Sequence, residues 1–187
     1  MRKIKLVLVL AVVGTGLLGV TAQAAAPVPS AIRTAVDKWT KTALQIQDSK
    51  ISKAFGQIGA ASAHAEVACG QPQARAALAS VLETMGGLLE GYVRNTERDE
   101  LGLYKLAPKL GSKQNVRRKA YVKLLDAVGT ALDFELVDAK NIANSAAKVK
   151  SAACASALTG IGTDTSFLSQ DHTRTDKALH ALRAQFG

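Results

Sequence analysis

The chain has 187 residues, with 24 lysines and arginines against 15 aspartates and glutamates, three histidines and a formal charge of +9. Aromatic residues make up only 4% and alanine is abundant, which excludes a thick core filled by rings and favours narrow seams between closely approaching helices. Strand-like alternation of β-branched residues is nowhere sustained, so the fold class is read as all-α.

Residues 1–24 read as a secretory signal peptide. Arg2, Lys3 and Lys5 form the positive start, residues 6–20 the apolar core, and Ala22-Gln23-Ala24 a small-x-small cleavage site. Those fifteen apolar residues, interrupted by Gly14, Gly16 and Gly19, fall short of the roughly 20 that span a bilayer. The expectation is cleavage and a periplasmic or secreted mature chain, residues 25–187, that spans no membrane. Loss of the leader leaves 21 basic against 15 acidic residues, a charge of +6 that attracts anionic surfaces.

Pro27 and Pro29 keep the lead into the mature chain extended, and Ser30 is the predicted N-cap of a first helix over about residues 30–69. Ile32, Val36, Trp39, Ala43 and Ile46 line one face. The phase then slips, and Ile51, Phe55, Ile58, Ser62, Ala65 and Cys69 form a displaced stripe, predicting a bend or change of partner near residues 47–50. Gly70 stops this helix and Pro72 opens a second over 72–104, with Ala74, Leu78, Val81, Met85, Leu88 and Tyr92 as its apolar stripe. The connection is so short that the two helices must be antiparallel. Gly86-Gly87, in mid-helix, predicts a kink or a close crossing. Glu97, Arg98, Asp99 and Glu100 read as a solvated charge cluster, and Leu101, Leu103, Tyr104 and Leu106 as a plug beneath the turn.

Residues 112–159 contain no proline and one interior glycine before the end, Gly129, predicting a long third helix capped by Ser112. Gly160 and Gly162 are expected to break it. A polar loop then leads to a short helix over 173–186 carrying Leu179, Leu182 and Phe186. The predicted architecture is an elongated up-down-up three-helix bundle with a short C-terminal helix. Cys69 and Cys154 fall at one pole and are expected to form a disulfide, as an oxidising compartment favours. Closing a loop of about 86 residues would remove roughly 4 to 5 kcal/mol of unfolded-state entropy in the chain-entropy picture.

Lys105, Lys109, Lys113, Arg117, Arg118, Lys119 and Lys123 place seven positive charges in nineteen residues with no acid among them. In the up-down-up arrangement they gather at the pole opposite the disulfide. This cationic tip suits an acidic protein face or an anionic surface. Nucleic acid is disfavoured, since only Tyr104 and Tyr121 lie near enough to stack on bases and no nucleic-acid-binding signature accompanies them.

His172, Asp176 and His180 recur every four residues, a spacing that zinc or copper can use, but no cysteine or third histidine accompanies them, and no metal or cofactor is assigned. His64, Ser62 and Glu66 are neighbours that do not face one another on a helix. Paired carboxylates on an apolar face are not found, with Glu83, Glu90 and Asp126 read as exposed. Haem-attachment, phosphate-loop and zincin motifs are absent from the sequence, and an enzyme is not expected.

The layout of leader, extended lead, a long helix containing Leu44-Gln45-Ile46-Gln47-Asp48-Ser49-Lys50-Ile51-Ser52-Lys53-Ala54, a cysteine at its end and a further long helix resembles the exported helical subunits of bacterial type IV secretion and conjugation machines. That resemblance implies a periplasmic or pilus-tip assembly component without enzymatic activity. The expected function is a non-catalytic exported interaction protein with an envelope partner. The alternatives are a small-ligand or metal-binding bundle, with its pocket between the terminal helix and the Cys154 end, and an inhibitor of a secreted enzyme. The oligomeric state is left open.

Overall fold

Helix α1 (Ser30–Ile46) passes through a π-helical turn (Gln47–Ile51) into α2 (Ser52–Ala68) as one rod. The computed structural model describes residues 27–187 except 113, 114 and 152, with the side chains of 65–68 also left aside. The signal-peptide reading of residues 1–24 and the tip residue Lys113 therefore lie outside the described residues. The π turn falls on the slip in hydrophobic phase. An extra residue in the turn rotates everything after it, so Ile32, Val36, Trp39 and Ala43 are buried before it and Ile51, Ala54 and Ile58 on a displaced stripe after it. The partner changes too: α1 lies chiefly against α5 and α2 chiefly against α3.

Helix α3 (Pro72–Tyr104) starts with Pro72 in its first turn and returns antiparallel. A 3-10 turn (Ala107–Leu110), Gly111 at φ 106° and an Asn115 cap lead into α4 (Val116–Lys150). Asn115, not Ser112, caps that helix: its side-chain oxygen accepts from the backbone N–H groups of Arg117 at 2.9 Å and Arg118 at 3.3 Å. Helix α5 (Cys154–Phe186) completes the bundle. Among the described residues all regular structure is helical, and the all-α bundle with one disulfide holds.

The predicted lengths of the last two helices are corrected. The third helix does not reach Thr159; it stops at Lys150, where Ser151 is extended at ψ 176° and its hydroxyl and N–H both bond to the Lys148 carbonyl. The terminal helix is 33 residues long, not a short segment over 173–186. Gly160 and Gly162 lie inside it on its open face, with nothing within 4 Å of where a Cβ would stand. Each glycine costs about 1 kcal/mol relative to alanine in a helix. Burial of Cys154, Ala157, Ile161 and Leu168 against the neighbouring helices outweighs that cost. The chain thus runs up, down, up and down as four rods, with neighbours in sequence also neighbours in space.

The break at 151–153 brings Cys154 to Cys69, and the two are joined as a disulfide with Cα atoms 5.7 Å apart. The stripe predicted on α3 is shifted as well. Leu78, Ala79, Leu82, Leu89 and Val93 are buried, while Val81, Met85 and Tyr92 are half-buried and Leu88 is 43% exposed. Helix α3 packs on two neighbours, so apolar residues flank its core line on both sides and periodicity alone cannot pick the centre. Gly86 sits on that line because a Cβ there would stand 2.7 Å from the Ala143 Cβ. Of the mid-helix pair, Gly86 therefore marks the close approach of α3 to α4, while Gly87 faces open space.

Two apolar clusters fill the bundle. One, near the turn pole, gathers Ile32, Val36, Trp39, Tyr121, Leu125, Leu132, Leu179 and Phe186. The other, toward the disulfide, gathers Ile51, Ile58, Leu78, Leu82, Leu89, Ile142, Val149, Ile161 and Leu168. The few rings are used economically: Tyr121 is fully buried, donates to the Leu103 carbonyl at 3.1 Å and meets Phe186 edge-on at 5.0 Å.

Candidate functional site

The end of α3, the 3-10 turn and the first two turns of α4 carry the cationic segment to one pole. Lys105, Lys109, Lys119 and Lys123 are exposed and Arg117 and Arg118 half-buried. None of the six forms an ion pair within 4 Å among the described residues. Arg117, Arg118 and Lys119 occupy the first turn of α4, which holds no acid. Cations there oppose the positive end of the helix dipole, a penalty of roughly 0.3–1 kcal/mol each that the Asn115 cap partly offsets. Arg118, Lys119, Val122, Lys123 and Asp126 line a shallow groove of about 340 Å³. Its one acid, Asp126, accepts a hydrogen bond from the Tyr104 hydroxyl at 2.6 Å. Tyr121, expected near enough to stack on a base, has no exposed surface.

Buried carboxylates are the feature that sequence reasoning missed. At mid-bundle, where the π turn crosses α4 and α5, Glu135 and Thr175 are fully buried and Gln47, Asp171 and Asp138 nearly so. The Gln47 amide donates to Glu135 Oε2 at 3.1 Å, and the Gln47 carbonyl oxygen bonds to His172 Nδ1. Glu135 Oε1 and Asp138 Oδ2 have no hydrogen-bond partner among the described residues. Burial pushes Glu135 up to about 7, against the nearby Thr175 hydroxyl and the Gln47 amide, which pull it down. Burial and the neighbouring Asp171 carboxylate push Asp138 up to about 6. Burial lowers His172 below its ordinary value. Paired acids therefore do occupy an apolar face. The signal lay in the spacing Glu135, Asp138, Ile142 on the stripe of α4, and Asp171, Thr175, Leu179 on that of α5.

The charge cluster at the end of α3 is not wholly solvated either. Glu100 is 3% exposed, whereas Leu101, expected in the plug, is 59% exposed. Glu100 lies over Gly129 of α4, where a Cβ would stand 3.0 Å from its Oε1. Glu97, Glu100, Leu101, Tyr104, Asp126, Gly129, Thr130 and Asp133 together line an open groove of about 600 Å³. Burial, then the Glu97 charge, pushes Glu100 up to about 7. Glu97 is raised by burial and by sharing a hydrogen bond with Asp133.

The histidine face divides. His172 turns inward onto Gln47 and the edge of Phe55, with ring centroids 5.9 Å apart. His180 stays in solvent, 3.9 Å from Asp176. No three His, Cys, Asp or Glu side chains among the described residues are placed to hold one metal ion. His64 is exposed and Ser62 half-buried. Between α2 and α5, near the disulfide pole, Gly59, Ser62, Gly162, Thr165 and Ser169 help to line a groove of about 480 Å³. No helix of the described residues is long and apolar enough to cross a membrane. Compared with protein-family models, curated proteins and solved structures, the chain shows no match.

Proposed function

We propose that this chain is an exported, non-catalytic helical interaction protein that docks through its cationic pole on an acidic face of an envelope partner, as an assembly subunit of a secretion apparatus would. The observation that carries the reading is the group of six described cations at one pole, none in an ion pair, with Arg117, Arg118 and Lys119 in the first turn of α4, where the helix N-terminus disfavours them. Charge kept at a local cost to the helix points to a use outside the helix. The disulfide and the leader sequence support export. An acidic protein face is favoured over nucleic acid because Tyr121 is buried and the Tyr104 hydroxyl is engaged by Asp126.

Photo-crosslinking in cells of the source tests this. A cross-linkable residue at Lys119 should capture a partner that one at Ala155, at the opposite pole, does not. Reversal of Lys109, Lys119 and Lys123 to glutamate should remove the adduct while helix content is unchanged. Equal capture from both poles, or capture indifferent to charge reversal, rejects the docking pole. A second reading, a small-ligand bundle, rests on the groove between α2 and α5 near Cys154. Saturable protection of Gly59 and Gly162 amide signals by a ligand from periplasmic extract would favour it.

A further inference from the structure

Helices α3 and α4 present matching spacings to the acidic groove. Glu97, Glu100, Leu101 and Tyr104 stand at i, i+3, i+4 and i+7 on α3, and Asp126, Gly129, Thr130 and Asp133 at the same intervals on α4. Because the helices are antiparallel, these residues form rungs. Glu97 faces Asp133, Glu100 faces Gly129, and Tyr104 faces Asp126. Carboxylates thus sit at three levels over about 10 Å of helix. No lysine or arginine pairs with Glu97, Glu100, Asp126 or Asp133 within 4 Å among the described residues; of the two cations near Glu97, Arg94 is held by Glu90 at 2.6 Å and Lys140 stays beyond pairing distance.

Glu100 adds a second, independent observation. Its side chain forms the floor of the groove, more than nine-tenths buried, and its Oε1 has no hydrogen-bond partner among the described residues. A buried carboxylate without a cationic partner is stable only as the neutral acid or beside a cation supplied from outside. Gly129 is the feature that makes room: any larger residue would press on the carboxylate.

We infer that this groove binds a linear aliphatic oligoamine, its ammonium groups seated at successive carboxylate rungs and its methylene chain lying along Leu101 and the Tyr104 ring. A metal ion fits poorly, because the acids are spread along the helices and no three converge. A single ammonium would satisfy one rung and leave the others repelling. The positive charge of the whole chain is screened beyond about 8 Å at physiological ionic strength. Arg118, Lys119 and Lys123, which share a groove with Asp126, weaken that end rung, so Glu97, Glu100 and Asp133 supply most of the attraction.

Isothermal titration of the purified, oxidised protein with spermidine at physiological salt is the test. One spermidine per chain is expected. Because the bound cation draws Glu100 into its ionised form, protons should leave at pH 7, and the measured heat should differ between buffers of high and low ionisation enthalpy. Glu100→Gln, which keeps the shape of the floor, and Asp133→Asn, on the exposed wall, should each weaken binding about ten-fold or more. Asp48→Asn, an exposed acid outside the groove, should leave binding unchanged. The proposal is overturned by absence of binding, by binding equally tight in Glu100→Gln and Asp133→Asn, or by stoichiometric calcium binding at the same residues with no preference for the oligoamine. Circular dichroism of each variant separates lost binding from lost fold.

Discussion

Glu135 and Glu100 are both pushed up to about 7, chiefly by burial, yet their surroundings differ. Glu135 lies in a closed layer where Gln47 comes to it from the π turn and His172 and Thr175 from α5. Glu100 lies on the floor of a groove open to solvent, with other carboxylates as its nearest charges. The same displacement of a carboxyl group therefore has two meanings. In the closed layer, the Gln47 amide reaches Glu135 Oε2 from within the protein and ties the π turn to α4, although Glu135 Oε1 and Asp138 Oδ2 stay without a partner among the described residues. In the groove the protein leaves a negative site unfinished.

Removing the side chains should separate the two most strongly. Glu135→Ala strips the buried Gln47 amide of its partner and leaves a cavity among buried polar side chains, so a loss of about 3 kcal/mol in urea unfolding is expected. Glu100→Ala opens onto solvent and should cost about 1 kcal/mol. Equal losses would erase the distinction between a closed and an open cluster.

The dependence on pH comes next. A carboxyl group whose folded pKa is raised binds its proton more tightly in the native chain. Its contribution is therefore fully present below the unfolded value of 4.5 and is lost as pH rises through about 7. His172, lowered by burial, acts with the opposite sign: stability is lost as pH falls through its unfolded value of 6.5. Unfolding midpoints measured from pH 4 to 9 should accordingly peak on the mildly acid side of neutral. Glu135, faced by Gln47, Thr175, His172, Asp138 and Asp171, should dominate the alkaline limb, so Glu135→Gln should flatten it. Glu100→Gln should flatten it less, because Glu97, Asp126 and Asp133 beside it are open to water and salt.

Glycine substitutions give a smaller contrast. Gly162→Ala, on the open face of α5, should stabilise by about 1 kcal/mol. Gly129→Ala has the same intrinsic gain but crowds Glu100, so its net change in thermal midpoint should be near zero or negative. A clear gain at Gly129 would mean that Glu100 does not depend on that space. The smallest loss is expected at the pole: Lys119→Glu with Lys123→Glu breaks no ion pair or buried contact and, by taking a cation out of the first turn of α4, should stabilise by about 0.3–1 kcal/mol.

Much of the fold was legible because helical periodicity is a local signal. The four-three steps of α1, the slip at Gln47 and the stop at Gly70 were all readable in a short window. The end of α4 was not. Gly160 and Gly162 are stronger breakers by composition than Ser151 to Ala153, and only burial of the flanking α5 stripe reverses that order. The cationic segment was legible as a run of charge. The acidic groove was not, because its carboxylates come from residues 97–100 and 126–133 and read separately as ordinary solvated acids.

By itself, then, the order of residues determined an all-helical chain, the antiparallel turn at Pro72, the pairing of its two cysteines and the concentration of positive charge between residues 105 and 123. Each depends on neighbours a few positions away or, for the thiols, on there being a single partner to choose. Tertiary structure alone decided which line of α3 faces inward, that α5 is a full rod and that Glu100 and Glu135 lose their water. The ionisation of a carboxylate depends on what surrounds it, and Gln47 reaches Glu135 from 88 residues away.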